Sequence, residues 1–292
     1  MSDFVQQQHT ICNFSNEGSW VILSPIEQSI KQKIESVGTP LKDWDIKIYR
    51  GVLTGYNDAF IISTEKRDEI LANCQTEDER LRTAELIRPI LRGRDIKRYG
   101  YDWANLWIIN THNGIKGVKP RIDINEYPAV KAHLDQYWDK ISKRADKGDT
   151  PYNLRNCAYL DDFFKPKIVW ARLMRISKSE IDSFPRFSKA DAGYFVVDSL
   201  CFFTGKNIDK LCAYLNSSLA TYYYLKNIAI LDNGGMQMRQ QYIEDIPCPP
   251  IEYIENDRSI YNLFCFTKEE VDFIEKFIEM HKNEILNANR AE

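Results

Sequence analysis

Residues 193–228 read GYFVVDSLCFFTGKNIDKLCAYLNSSLATYYYLKNI. Residues 193–205 form an apolar run rich in Phe and Val, the composition of a long buried strand or a strand pair. From Asn207 to Ile228 the apolar positions change period. Ile208, Leu211, Leu215, Leu219, Tyr222 and Leu225 recur at helical spacing and predict one strong helix, read as core and scaffold. Whether this strand-to-helix unit belongs to a regular alternating fold depends on what flanks it.

Upstream, SPIEQSIKQKIESV (24–37) predicts a helix: Ser24 suits the N-cap, Pro25 the first helical position, and Glu27 completes a capping box. Gly38 and Pro40 stop it. IKIYRGV (46–52) alternates as a strand, AFIIS (59–63) is a second, and a short helix covers 66–73. Glu79 to Ile90 reads as a helix or turn ended by Pro89, and ANLWIINTH (104–112) as a strand. Residues 124–147 read as one helix with Val130, Leu134, Tyr137, Trp138 and Ile141 on its apolar face, and PKIVWARL (166–173) as a strand. IPCPPIEYI (246–254) is extended, and Thr267 caps a terminal helix reaching about Leu286. These signals do not alternate regularly, which favours α+β: a mixed-sheet lobe packed with helices, plus a C-terminal helix. The expected organisation is a leader (1–17), one large domain (18–252) and a C-terminal helical extension (253–292).

Composition narrows the class. At 43% hydrophobic and 28% charged residues the chain suits a globular protein. Its seven cysteines include no C-x-x-C, and the N-terminal MSDFVQQQHT lacks the order of a signal peptide, so reduced thiols in the cytoplasm are expected. Four scattered histidines support no metal site. No apolar run approaches the roughly 18 residues that span a bilayer. Net charge is −3, but it is unevenly spread. Arg80 to Arg121 holds ten bases and three acids (+7), Lys165 to Lys189 seven and two (+5), and Tyr242 to Glu292 five and twelve (−7). A basic middle accommodates an anionic partner, although a solvated charged face has the same composition.

Catalytic motifs are lacking. GVLTGYNDAF (51–60) has two glycines where a dinucleotide fingerprint needs three, and no helix is expected to start there; it also lacks the G-K-[ST] of a phosphate loop. There is no G-x-S-x-G. The only Pro-Pro, in CPPI (248–251), lacks the acidic or Asn head and the aromatic of an amino-methyltransferase tetrapeptide. Asp161-Asp162 near Lys165, or Glu180 and Asp182 near Lys178, could be forced into a nuclease site, but such neighbours are common on surfaces. No catalytic or metal-binding residue is nominated.

Seven segments in order carry a resemblance: WVILSPIEQSIKQKIESVGTPLKDW (20–44), IYRGVLTGYNDAFII (48–62), LIRPILRGRDIKRY (86–99), LWIINTH (106–112), FKPKIVWARL (164–173), LCAYLNSSLATYYYL (211–225) and MRQQYIEDIPCPP (238–250). Together the chain resembles the TaqI-like C-terminal specificity (target-recognition) domain of type IIG restriction–modification enzymes and adenine-N6 DNA methyltransferases, over about residues 18–252. The resemblance implies a module that binds double-stranded DNA and selects the site. Chemistry is left to a methyltransferase or endonuclease catalytic domain, in the same protein or a partner subunit. It implies no cofactor in this chain; S-adenosylmethionine, and magnesium for cleavage, would belong to those partner domains. Two other readings stay open: a nuclease or methyltransferase whose site the sequence hides, and a subunit-assembly module docking through the acidic C-terminal helix.

Within RGRDIKRY, Arg92, Arg94, Lys97 and Arg98 are expected to face DNA phosphates, with an internal Arg94–Asp95 brace as the alternative. Thr54 and Asn57 of the glycine loop could reach a phosphate or base edge, or simply form a turn. By the resemblance, base reading falls to Trp170–Gly193, with Arg172, Arg175, Lys178 and Lys189, and to DNGGMQMRQQ (232–241), with Gln237, Arg239 and Gln240. The alternative is that these residues anchor phosphates or brace the fold.

Overall fold

A computed structural model describes residues 23–176, 181–231 and 234–288. In chain order its strands are β1 (Thr39–Pro40), β2 (Ile48–Arg50), β3 (Ile61–Ser63), β4 (Ile87–Leu91), β5 (Leu106–Ile109), β6 (Lys167–Ala171), β7 (Met174–Arg175), β8 (Phe187–Ala190), β9 (Phe195–Val196), β10 (Leu200–Phe203), β11 (Gly235–Met236) and β12 (Pro247–Cys248). Two open four-stranded sheets, β2-β10-β6-β8 and β3-β5-β4-β9, are accompanied by the small ladders β1–β12 and β7–β11. The first sheet is antiparallel throughout, whereas β4 and β9 pair in parallel, so the architecture is α+β with mixed pairing.

The apolar run 193–205 links the two sheets. It is a strand pair broken at Asp198–Ser199: β9 joins the second sheet and β10 the first. Alternation then divides the core. In β6 and β10, Ile168, Trp170, Cys201 and Phe203 face one apolar cluster, while Val169, Leu200 and Phe202 face the other. A sheet buried on both faces needs continuous rather than alternating apolarity, which is what 200–203 carries.

The helix Pro25–Val37 has the expected cap. Ser24 accepts from the Glu27 amide, and Glu27 accepts from the Ser24 amide at 2.9 Å. Other boundaries differ from the sequence expectation. The helix expected over 207–228 is two, Ile208–Leu215 and Ser218–Asn227. Ser217 caps the second, and the buried Asn216 side chain leaves the helix to exchange bonds with the Phe187 backbone at 2.8 and 3.0 Å. Residues 124–147 break into Pro128–Asp135 and Trp138–Ile141 with an irregular turn between. Pro89 does not end the helix Glu77–Leu86; it lies within β4. A one-turn helix, Asn57–Phe60, occupies part of the strand expected over 59–63 and does start within the glycine loop. Helix Asp257–Leu263 had no sequence signal strong enough to be expected. The terminal helix Lys268–Ala288 packs on Ser218–Asn227 and is tied to the first helix by Glu270, which accepts from Lys33 and Ser29, both at 2.6 Å.

Candidate nucleic-acid interface

Several cation-bearing strand ends converge on one short segment, residues 196–200. β2 ends at Arg50, and the next amide, Gly51, donates to the Leu200 carbonyl at 3.0 Å. β4 ends at Leu91, just before Arg92, and its carbonyl accepts from Val197 at 3.1 Å. β6 ends at Ala171, and the Arg172 amide donates to Ser199 at 3.0 Å. The Arg172 guanidinium also reaches the Asp198 carbonyl at 3.4 Å. Burial pushes the Cys201 thiol up to about 11, against the pull of Arg172 and Arg50. The approach needs Gly51: a Cβ there would sit 2.0 Å from the Val197 carbonyl oxygen.

Two more elements carry expected contact residues. β7 carries the exposed Arg175 and pairs with β11, Gly235 opposite Arg175, which brings in the half-buried Gln237 and the exposed Arg239. The short helix Gln240–Glu244 follows against β2. The loop from Arg92 to Tyr101 lies along the outer edge of β8, with Tyr99 bridged to Ser188. Phe187 in turn is paired with Trp170, two residues before Arg172.

Within this frame the expected contact residues separate. Arg94 is exposed and has no ion-pair or hydrogen-bond partner among the described residues. Arg175 and Arg239 are likewise exposed. Lys97 is exposed and only loosely opposed to Asp102, at 3.7 Å. Arg172 is half-buried with part of its guanidinium available. Arg50, which the sequence reading did not nominate, is exposed at the centre of the rim; its only sequence signal was its place at the end of an alternating strand, before Gly51.

Other expected contacts are engaged in the fold. Arg92, not Arg94, braces the loop: its guanidinium grips the buried Asp95 carboxylate at 2.9 and 3.2 Å. Arg98 donates to three backbone carbonyls, Asn216 at 2.6 Å, Phe184 at 3.3 Å and Asp182 at 3.5 Å, knitting three distant segments together. Lys189 is paired with Asp209. Gln240 donates to Glu244 at 2.6 Å. Thr54 is buried, its hydroxyl bonded to Asn57 at 2.6 Å, so it offers DNA nothing; Asn57 itself is exposed. Lys178 lies outside the described residues.

The glycine loop is closed from behind by Arg144, which is buried and donates to the carbonyls of Thr54, Asp146, Pro151 and Asn153. A Cβ on Gly55 would meet the Asp146 carbonyl at 3.0 Å, and Gly51 is packed against Val197.

Among the described residues no group of three His, Cys, Asp or Glu side chains could hold a metal. Asp162 is bonded to Lys165 at 2.7 Å and Asp161 lies 3.6 Å from Lys119, as surface ion pairs. Cys74, Cys157, Cys201, Cys212, Cys248 and Cys265 are free thiols. No described helix is long and apolar enough to cross a membrane.

No curated protein matches the chain. Its fold is similar to that of the type IIG restriction endonuclease BpuSI, with a TM-score of 0.52 at 14% identity, over 89% of this chain and 32% of that one. It is also similar to the type IIL restriction–modification enzyme MmeI, solved in complex with DNA, with a TM-score of 0.55 at 10% identity, over 85% of this chain and 36% of that one. The chain thus spans about a third of either enzyme. The model of the TaqI-like C-terminal specificity domain matches residues 88–248, from β4 through β12. The chain belongs to the family of TaqI-like C-terminal specificity domains.

Proposed function

We propose that the chain reads the target site of a restriction–modification enzyme on double-stranded DNA, in the cytoplasm, for a catalytic domain that carries out adenine-N6 methylation or cleavage. That domain supplies S-adenosylmethionine binding and, for cleavage, magnesium; it lies in the same protein or in a partner subunit. The observation that carries the reading is the rim: Arg50 at the end of β2 and Arg172 just past the end of β6 meet around residues 196–200, with the exposed Arg175 three residues further along the chain.

In this reading Arg94 and Lys97 on the neighbouring loop, with Arg50, hold phosphates, which positions the duplex without specifying sequence. Arg172, Arg175, Gln237 and Arg239 are the candidates for base edges, since Arg pairs bidentately with guanine and Gln with adenine. Arg92 and Arg98 act on DNA indirectly, by fixing the loop that carries Arg94 and Lys97. Lys189 and Gln240 are partnered within the chain, by Asp209 and Glu244.

The test is binding of a labelled duplex across a salt series. Each phosphate contact contributes about −0.9 to the slope of log K against log salt. Arg50→Gln and Arg94→Gln should each weaken binding for all sequences and flatten the slope by about one. Arg175→Gln should relax selectivity at one position of the site, at about 1–3 kcal/mol. Binding that ignores salt, or is absent at low salt, would refute the proposal.

A further inference from the structure

Tyr99 adopts a backbone conformation that a tyrosine does not favour. Its φ is +72°, in the left-handed region where a bulky side chain is an outlier and glycine is at ease. The sequence offers a glycine one position later. Gly100 has no such φ, and a Cβ on it would meet nothing within 4 Å, so nothing there requires glycine. The strain therefore rests on the aromatic residue, beside a glycine that does not use its freedom.

The surroundings enforce this conformation. The Tyr99 amide donates to the Phe187 carbonyl at 2.9 Å, and its carbonyl accepts from Lys189 at 3.3 Å. Ser188 bonds the carbonyls of Lys97 and Gly100 on either side. The ring gains little in return. It is 52% exposed, belongs to neither apolar cluster, and its hydroxyl has no partner among the described residues. One contact orients it: the Arg98 guanidinium, itself anchored on three carbonyls, lies 5.5 Å from the ring centroid. Lys97, half exposed, stands two positions before it.

Strain that the fold maintains without using the side chain in its core marks a functional position. We propose that Tyr99 is a DNA-contacting residue whose ring stacks on a nucleobase, with the Arg98 guanidinium fixing one side of it and Lys97 steering the adjacent phosphate. A rigid aromatic surface flanked by cations suits the π-face of a base that is unstacked or flipped out of the duplex. The inference rests on the DNA-reading function proposed above and adds a contact residue of a different chemical type.

The experiment compares the full chain with Tyr99→Phe, Tyr99→Gly and Tyr99→Asn, using a labelled duplex pool with a randomised core at low salt and thermal melting of each protein. Glycine and asparagine both accept the left-handed conformation. The expected result is melting at or above the wild-type temperature for Gly and Asn, with affinity about tenfold weaker. Phe should stay within about twofold of wild type, since it keeps the π-face. Wild-type affinity in the Gly and Asn variants would overturn the inference, pointing instead to a protein partner for the exposed ring. Melting of both variants well below wild type would also overturn it, because the ring would then be structural. Failure of the wild-type chain itself to bind any duplex would sink the DNA-reading proposal first, and this inference with it.

Discussion

Lys167 opens β6 with its side chain fully buried, 0% exposed, and no carboxylate among the described residues is bonded to its ammonium. Its Nζ donates to the carbonyls of Phe163 at 2.9 Å and Asp191 at 3.2 Å. Burial pushes its pKa from 10.5 down to about 8, against the pull of Asp191. The folded value lies below the unfolded one, so the folded protein binds fewer protons between pH 8 and 10.5 and its stability rises with pH there. At 1.36 kcal/mol per pH unit, the 10.5 − 8 = 2.5 separation means that holding the charged lysine in the fold costs about 3 kcal/mol at pH 7. Lys167→Met removes that cost and two hydrogen bonds from a charged donor, about 1.5 kcal/mol each. Neither carbonyl is orphaned, since Gly193 donates to Phe163 at 3.0 Å and Tyr194 to Asp191 at 3.4 Å. The variant should therefore match wild type at pH 7 to within about 1 kcal/mol. Above pH 8 it should fall behind wild type by about 1.4 kcal/mol per pH unit up to pH 10. Urea unfolding followed by tryptophan fluorescence, run on both proteins at each pH, measures the difference; the buried thiols and tyrosines titrate alike in both and cancel. A difference that stays constant from pH 7 to 10 would refute the reasoning.

Three further outcomes follow from the same kind of accounting. Arg98→Ala should lower stability by about 3 kcal/mol in urea unfolding, because three carbonyls lose a charged donor, and Arg98→Lys should not restore it because an ammonium cannot reproduce the planar fork. Thr54→Val should cost about 1 kcal/mol of stability through the lost bond to Asn57, with duplex affinity unchanged. Burial alone would raise the Glu270 pKa, but Lys33, Ser29 and the Thr267 amide hold the carboxyl down at about 2, below its ordinary 4.5. A depressed carboxylate stabilises above the unfolded value, so the stability gap between wild type and Glu270→Gln should be full at pH 6 and close as pH falls from 4.5 towards 2.

The sequence expectations succeeded where the signal is short-range. The capping box at Ser24 and Glu27, the cap at Thr267, and the strand runs around 48–50, 106–109 and 167–171 all appear, since each rests on residues within one or two turns. Boundaries set by distant partners were missed. Asn216 breaks the helix expected over 207–228 because the Phe187 backbone, 29 residues away in sequence, offers it bonds. Pro89 lies in β4 opposite Trp107 of β5, before the stretch that pairs with β9 begins at Ile90.

The amino-acid sequence by itself determined the α+β class, the basic middle with its acidic tail, the lack of catalytic motifs, and the family. These depend on composition, local periodicity and the order of segments along the chain. Only the tertiary structure decided which cations are available to a ligand. Arg98 and Lys189 carry the same charge as Arg94 and Arg175, yet they are engaged by partners 20 to 118 residues away in sequence. Arg50 became a candidate only when the ends of β2 and β6 met around residues 196–200. A side chain's charge is fixed by its own atoms; whether that charge faces another molecule depends on what the fold brings within a hydrogen bond of it.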